Sequence, residues 1–340
     1  MKVIEHYCYA HAVRALLREI DNFRPGHMIF IIGPSGVGKT TLRHVAMREA
    51  FGRPTMWGPG RIPVIETFAL LHNSAYFSSR ALVASFIHEL HVPNVEWLFS
   101  GDKSTSPFES SMRGELAQHA SNWDDLGRLR GTEADFWTTL ERLVAARHCK
   151  FISLDQVTAL LVNRRNTEPA HHTLHLMALA EKAQIMFIMT GVHAATRLWE
   201  IHSELRRRVI PIWVPPYSVR RKEDEVHFLR LLKNLSAKIK MTRADLLFRI
   251  SDEILAATGG VFGEIAQLLD RASNLAKDRE HDRIQLCDIR DSYYGETDLR
   301  ELWKDIELFE EAMKAGDLRS RAAMIRAKWS AATVTTGESE

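Results

Sequence analysis

The sequence predicts an α/β fold: a five-stranded parallel sheet flanked by helices, followed by a small all-helical lid. Three observations carry this. Short, continuous apolar runs alternate with helical patterns as far as residue 214, as expected for a parallel sheet covered on both faces. One run-to-helix junction reads Gly33-Pro-Ser-Gly-Val-Gly-Lys39-Thr40. After Pro215-Pro216 the strand-like runs stop and only helical patterns remain.

Taken in order, Tyr9 to Ile20 places Val13, Leu16, Leu17 and Ile20 on one face of a helix. Arg24-Pro-Gly26 ends it, and Met28 to Ile32 is a strand apolar on both faces. A helix follows from Lys39 to about Phe51, then a second strand over Arg61-Ile-Pro-Val-Ile65 and a helix from Ser79 to Leu90. Residues 92–131 are punctuated by Pro93, Gly101, Ser104-Thr-Ser-Pro107 and Gly127, which marks a surface excursion. A helix from Ala134 to Ala146 leads into the third strand, Lys150 to Asp155. A helix from Thr173 to Lys182 precedes the fourth strand, Gln184 to Thr190, and Val209 to Val214 is the fifth.

Beyond the prolines, Glu223 to Lys238 carries Val226, Leu229, Leu232 and Leu235 along one side. Thr242-Arg-Ala-Asp245 is a capping signal for a helix through Ala257, which Gly259-Gly260 ends. Helical patterns return at Val261 to Lys277, Ile284 to Tyr294 and Leu299 to Lys328, and the small, polar tail from Ala331 to Glu340 reads as disordered. This layout divides the chain into a nucleotide-binding α/β domain (1–217), a helical lid (218–295) and a C-terminal helical extension with a flexible tail (296–340).

Bulk properties narrow the class. The chain has 340 residues, 45% hydrophobic, enough for one large or two ordinary cores. A formal net charge of +2 leaves any nucleic-acid surface to a local patch. Cys8, Cys149 and Cys287 are far apart and form no CxxC pair, which disfavours a disulfide framework or a zinc ribbon. The N-terminus lacks a signal-peptide pattern, and no apolar run approaches the roughly 18 residues of a membrane span. The expected location is cytoplasmic.

The pattern from Gly33 to Thr40 is specific because a buried strand precedes it and a helix follows. Gly33, Gly36 and Gly38, with Pro34, Ser35 and Val37 between them, turn backbone N–H groups inward around phosphate oxygens. Lys39 offers its charge to the β- and γ-phosphates, Thr40 offers a hydroxyl to Mg²⁺, and Thr41 shares the first helical turn. The chain is therefore expected to bind ATP with Mg²⁺. Asp155 ends an apolar strand, where a Walker B carboxylate holds the metal through water; the plainer reading is a cap for the next helix. Gln156 follows, where hydrolysing relatives usually carry Glu. Gln can orient water but cannot accept a proton. A chain that cleaves ATP slowly by nature, and one whose Glu was exchanged to trap the ATP state, both fit. Thr190 ends the fourth strand, where a hydroxyl can touch the γ-phosphate or the attacking water, or simply start the turn into Gly191. Arg206, Arg207 and Arg208 read either as a solvated surface or as the source of an arginine that acts on a neighbouring subunit's γ-phosphate.

These residues resemble the TniB/TnsC family of AAA+ transposition regulators, relatives of MuB and IstB, from about Tyr9 to about Ala276. Beyond the phosphate loop, the resemblance rests on Arg61-Ile-Pro-Val-Ile65, Phe-Ile-Ser-Leu-Asp155, Ile-Met-Thr-Gly-Val-His-Ala-Ala195, Leu205 to Arg208 with Val214-Pro-Pro-Tyr217, and Thr258-Gly-Gly-Val-Phe-Gly-Glu-Ile265. It implies an ATP-dependent homo-oligomer, a ring or helical filament on double-stranded DNA. Such an assembly connects a TniQ-like target selector, in some elements a CRISPR effector, to the transposase. It implies Arg208 as the finger, acting in trans. Two residues depart from the pattern: Gln156, and Glu264, which stands where many AAA+ lids place a sensor Arg. The resemblance also implies DNA contacts from loops after the second strand, where Arg80, Lys103 and Arg113 are available for sequence-independent phosphate contacts.

His171, His172 and His175 share a helix face without further evident ligands, so a solvated face is expected rather than a metal site. Trp97, Trp123, Trp137, Trp199 and Trp213 read as packing residues. Two other functions remain open: a helicase loader or remodelling motor, and a signalling NTPase without DNA binding.

Overall fold

A computed structural model describes residues 7–71, 75–99, 132–162, 168, 170–200, 202–314, 322 and 324–326. Lys103, Arg113, Trp123, most of the 92–131 excursion and the 327–340 tail lie outside the described residues. The elements run α1 (Tyr7–Asp21), β1 (Met28–Ile32), α2 (Lys39–Phe51), β2 (Val64–Phe68), α3 (Ser79–His91), α4 (Glu96–Phe99), α5 (Glu133–Ala146), β3 (Phe151–Asp155), α6 (His171–Lys182), β4 (Met186–Gly191), α7 (Ser203–Arg208) and β5 (Val209–Trp213). They continue as α8 (Lys222–Ser236), α9 (Leu246–Arg249), α10 (Ser251–Thr258), α11 (Phe262–Asp278), α12 (Leu286–Arg290) and α13 (Glu296–Met313).

The five strands are parallel, in the order β2-β3-β4-β1-β5. The central strands β1, β3 and β4 are buried at every residue, which is why their sequences are nearly continuous apolar runs. β5 is an edge strand, and it tolerates Pro211, which has no N–H to give to a ladder. Along α1, Val13, Leu16 and Ile20 of the predicted stripe are buried and Leu17 is partly so, with Ala12 buried beside them.

A second apolar cluster is built by α8 to α12, with Phe228, Leu232, Leu247, Ile265, Leu269 and Ile289 among its members. The last helix turns back to the first cluster. Ile306 and Phe309 are buried there, and the Phe309 ring meets Trp213 at 5.8 Å between centroids. That face of α13 is therefore covered within the chain. Trp97 and Trp199 are buried and Trp137 and Trp213 partly so, all as packing groups.

Four expectations need correction. The second strand lies three residues later than 61–65. A charged residue, Glu66, ends the apolar run, yet the strand continues through it because Arg43 and His44 satisfy its carboxylate. Pro63 stays outside the strand, its carbonyl accepting from the backbone N–H groups of Lys150 and Phe151. The helix expected from Thr242 to Ala257 is two pieces, α9 and α10, broken at Ile250. Thr242 does not cap it: its N–H and hydroxyl both donate to the Ile284 carbonyl, while the Asp245 carboxylate is taken by Arg243 and Arg249. On α8, Val226 faces solvent and Phe228, Leu231, Leu232 and Leu235 form the buried face, so the stripe is rotated from the one its spacing suggests. The pattern over 284–294 yields only the short α12.

Phe309→Ala removes a fully buried ring that ties α13 to the first cluster. It should cost about 3–5 kcal/mol of stability in urea unfolding. A loss below ~1 kcal/mol would show that α13 does not depend on this contact.

Candidate functional site

The carboxyl ends of β1, β3 and β4 converge on one cleft of about 310 Å³, the usual ligand position in an open α/β sheet. Strand register explains the convergence. Ile31 pairs with Thr190 and Leu154 with Met189, so the segments leaving β1, β3 and β4 emerge side by side. The cleft is lined by Ser35, Gly36, Gly38, Lys39, Thr40 and Thr41 from the loop and α2, and by Asp155, Gln156, Thr158, Thr190, Gly191 and Val192. Gly33, Pro34 and Val37 belong to the same turn but do not line it. Val37 is buried beneath.

Gly38 begins α2 at φ +98°, a left-handed conformation that other residues rarely adopt, and no side chain caps the helix there. The first-turn N–H groups thus face the cleft, with the positive end of the helix behind them. Lys39 Nζ donates to the carbonyls of Gly33 and Pro34, each at 2.8 Å. Burial lowers its pKa to about 8, against the raising influence of Asp155.

Asp155 is the focus of the polar groups. Its Oδ2 accepts from Thr40 Oγ1 at 2.8 Å and from Arg43 Nη2 at 3.2 Å; its Oδ1 accepts from the Gln156 N–H at 2.8 Å and from the Thr190 hydroxyl. Burial alone would raise its pKa. The Arg43 charge and the hydrogen bonds from Thr190, Thr40 and Gln156 outweigh it and hold the carboxyl below its ordinary range. Asp155 is thus a buried, ionised carboxylate at a strand end. Its oxygens and the Thr40 hydroxyl are hard donors beside a cleft, a set that suits Mg²⁺.

Gln156 is exposed and sits at φ +56°, a conformation uncommon outside glycine. Thr190 is fully buried by residue, yet it lines the cleft and donates its hydroxyl to Asp155. Arg208 pairs with Glu181 of α6 and sits beside Gly26, just before the start of β1. Arg206 and Arg207 are exposed. All three arginines precede β5, at the opposite end of the sheet from the cleft. A five-residue strand at about 3.3 Å per residue separates the two ends by roughly 16 Å. Arg80 is exposed on α3, its guanidinium 4.9 Å from the Phe136 ring centroid. The His171 and His175 rings lie 4.8 Å apart at 60° to each other, and burial lowers the His172 pKa to about 4.

The first turn of α11 closes on the phosphate loop. Gly263 N–H donates to the Gly36 carbonyl at 2.9 Å. A Cβ at Gly263 would lie 2.5 Å from that oxygen and 2.9 Å from Gly36 Cα, so only glycine fits. Glu264, which departs from the usual sensor Arg, accepts from the Tyr294 hydroxyl at 2.7 Å.

No family model matches the chain, and no curated protein is detectably similar to it. Solved structures do match. The ORC2 protein of Aeropyrum pernix, in its ADPNP-ADP complexes and its ADP form, aligns with a TM-score of 0.50 at 14% identity, over 84% of this chain and 66% of that one. The chain has the AAA+ P-loop fold. The Thermotoga maritima RuvB Holliday junction branch migration motor aligns with a TM-score of 0.42 at 11% identity, over 84% of this chain and 65% of that one. The chain thus spans just under two thirds of the length of these neighbours.

Arg43, His44 and Glu66 are site residues that the sequence motifs do not reveal. Arg43 lies four residues after Lys39 on α2, hence on the same helix face, and this spacing is the one signal that points to it.

Two outcomes follow from this geometry. Gly263→Ala should cost about 1–3 kcal/mol in chemical unfolding, while Gly295→Ala, with nothing near its Cβ position, should be close to neutral. Equal effects would show that the contact with the loop carries no weight. In the ligand-free protein Lys39 loses its proton near pH 8, and a phosphate needs the ammonium form. Triphosphate affinity should therefore hold steady below pH 8 and fall by up to about tenfold per pH unit above it. A fluorescent ATP analogue titrated from neutral pH to about pH 9.5 reads this directly, and a flat profile contradicts it.

Proposed function

We propose that this chain is an ATP-dependent, DNA-binding AAA+ regulator of transposition of the TniB/TnsC type. On this reading it assembles on duplex DNA with ATP and links a target selector to the transposase. One observation carries the assembly step: the phosphate cleft and the arginines of α7 occupy opposite ends of one sheet. Arg206, Arg207 and Arg208 lie too far from the cleft of their own chain to serve it, so if one of them reaches a γ-phosphate, it is a neighbour's. The nucleotides named with the ORC2 structures agree in kind with ATP at this cleft. The transposition assignment rests on the family resemblance of the motif segments.

The residues divide the work as follows. The loop N–H groups and Lys39 bind the phosphates. Thr40 and Asp155 would hold Mg²⁺, which supplies charge neutralisation at the phosphate oxygens when bound. Thr190 orients Asp155. Gln156, exposed at the cleft, can orient a water but cannot take its proton, so the bound ATP state outlasts cleavage. This favours an assembly that persists over a motor with sustained turnover. The lid made by α8 to α12 meets the loop through Gly263.

The test is assembly on duplex DNA with a non-hydrolysable ATP analogue against ADP, viewed by negative-stain microscopy. Ordered oligomers are expected with the analogue only, and Lys39→Ala should abolish them. Replacing Arg206, Arg207 and Arg208 together should leave analogue binding intact and prevent assembly. Monodisperse monomers under every nucleotide condition would overturn the proposal. Gln156→Glu should raise phosphate release on the order of a hundredfold; rapid release by the unaltered chain would favour the motor instead.

A further inference from the structure

Beneath the cleft lies a charged layer with no part in binding the phosphates. Arg43 is completely buried on α2. Its Nη2 pairs with Glu66 of β2 and also lies 3.2 Å from Asp155 Oδ2. His44 Nε2 lies 2.6 Å from Glu66 Oε1. A carboxylate can only accept, so the ring donates there, and its 3.3 Å approach to Arg43 Nη2 brings two donors together rather than forming a hydrogen bond. Glu66 pairs with Ser153, two residues before Asp155 on β3, and neither Glu66 nor Arg43 lines the cleft. Glu66 is therefore not a replacement base for Gln156; it sits behind the carboxylate.

Stability does not explain the arrangement. A buried ion pair generally gives less than apolar packing of the same volume. Arg43 also leaves Nε and Nη1 without hydrogen-bond partners among the described residues. What the pair does accomplish is local. Thr40 and Arg43 share Asp155 Oδ2. If the Thr40 hydroxyl turns to another ligand, Arg43 still holds that oxygen. Its full positive charge would, however, repel a divalent cation from the same carboxylate. Glu66 cancels that charge, leaving the trio with one net negative charge.

We propose that Arg43 and Glu66 are a positioning pair for the metal-holding carboxylate: Arg43 fixes Asp155 from beneath, and Glu66 removes the electrostatic penalty of having it there. The proposal rests on the reading that the cleft takes ATP with Mg²⁺.

The test compares the affinity of a fluorescent ATP analogue in Mg²⁺ and in EDTA. In the unaltered chain Mg²⁺ should tighten binding. The charge-conserving double variant Arg43→Met/Glu66→Gln should keep its affinity in EDTA and lose about tenfold of the Mg²⁺ gain, or ~1.4 kcal/mol. Glu66→Gln alone leaves the guanidinium charge uncancelled and should also shrink the gain. Arg43→Lys, which keeps a charge but not the planar fork, should retain part of it. A double variant with the full Mg²⁺ gain, or one that loses affinity equally in Mg²⁺ and EDTA, overturns the proposal, the latter by showing a purely structural role. If thermal melts show that the double variant does not fold, Glu66→Gln, a nearly isosteric change, takes its place, and an undiminished Mg²⁺ gain in that variant overturns the proposal. An unaltered chain with no Mg²⁺ gain would instead refute the Mg²⁺-ATP reading itself.

Discussion

The Asp155 carboxylate is the constraint on which the rest of the site depends. A buried ionised carboxylate is tolerable only when its oxygens are satisfied, and a missing donor there is costly. Here the donors come from three directions: Thr40 and Arg43 of α2, Thr190 of β4, and the N–H of Gln156. Each must be placed within a few tenths of an ångström. One group therefore fixes where α2 sits over the sheet, how β3 and β4 end, and which way the chain turns on leaving β3. The left-handed backbone at Gln156 lies just after that N–H and sets the direction in which the chain leaves β3.

Much of this is legible in the sequence. The phosphate loop, Asp155, Gln156 and Thr190 are each marked by a local pattern: a glycine spacing, or a polar residue at the end of an apolar run. The cleft brings them together. The elements whose patterns are strongest, β1 and α2, fall where the periodicity puts them. What stays hidden is set by pairing across the sheet. Glu66 looks like the end of a strand because a charge inside one is unfavourable; its partners, 22 and 23 residues earlier, make it acceptable. Thr242 has the sequence of a helix cap, but Ile284 claims its donors from 42 residues away. Val226 shows the limit of counting apolar positions, since Phe228 outweighs it in choosing which face of α8 is buried. No local signal contains such long-range choices.

The fold also separates two chemistries in space. Anion-binding groups gather where the strands end, and the arginines of α7 gather where the strands begin. A single parallel sheet thus presents a receptor on one rim and a complementary charge on the other. On the proposed reading this polarity would serve head-to-tail stacking, because two different rims form a heterologous contact.

The backbone contact between Gly36 and Gly263 has a mechanical consequence. At Gly263 the two backbones meet without a side chain between them, and the hydrogen bond joins them directly. α11, 17 residues in all, runs on from that point as a rod of about 25 Å. A tilt of about 5° at Gly263 would swing its far end by about 2 Å. That end is tethered to α12 through Arg279, Asp288 and Asp291, so the shift would carry the packed helices with it. The rod is a lever with its fulcrum on the loop.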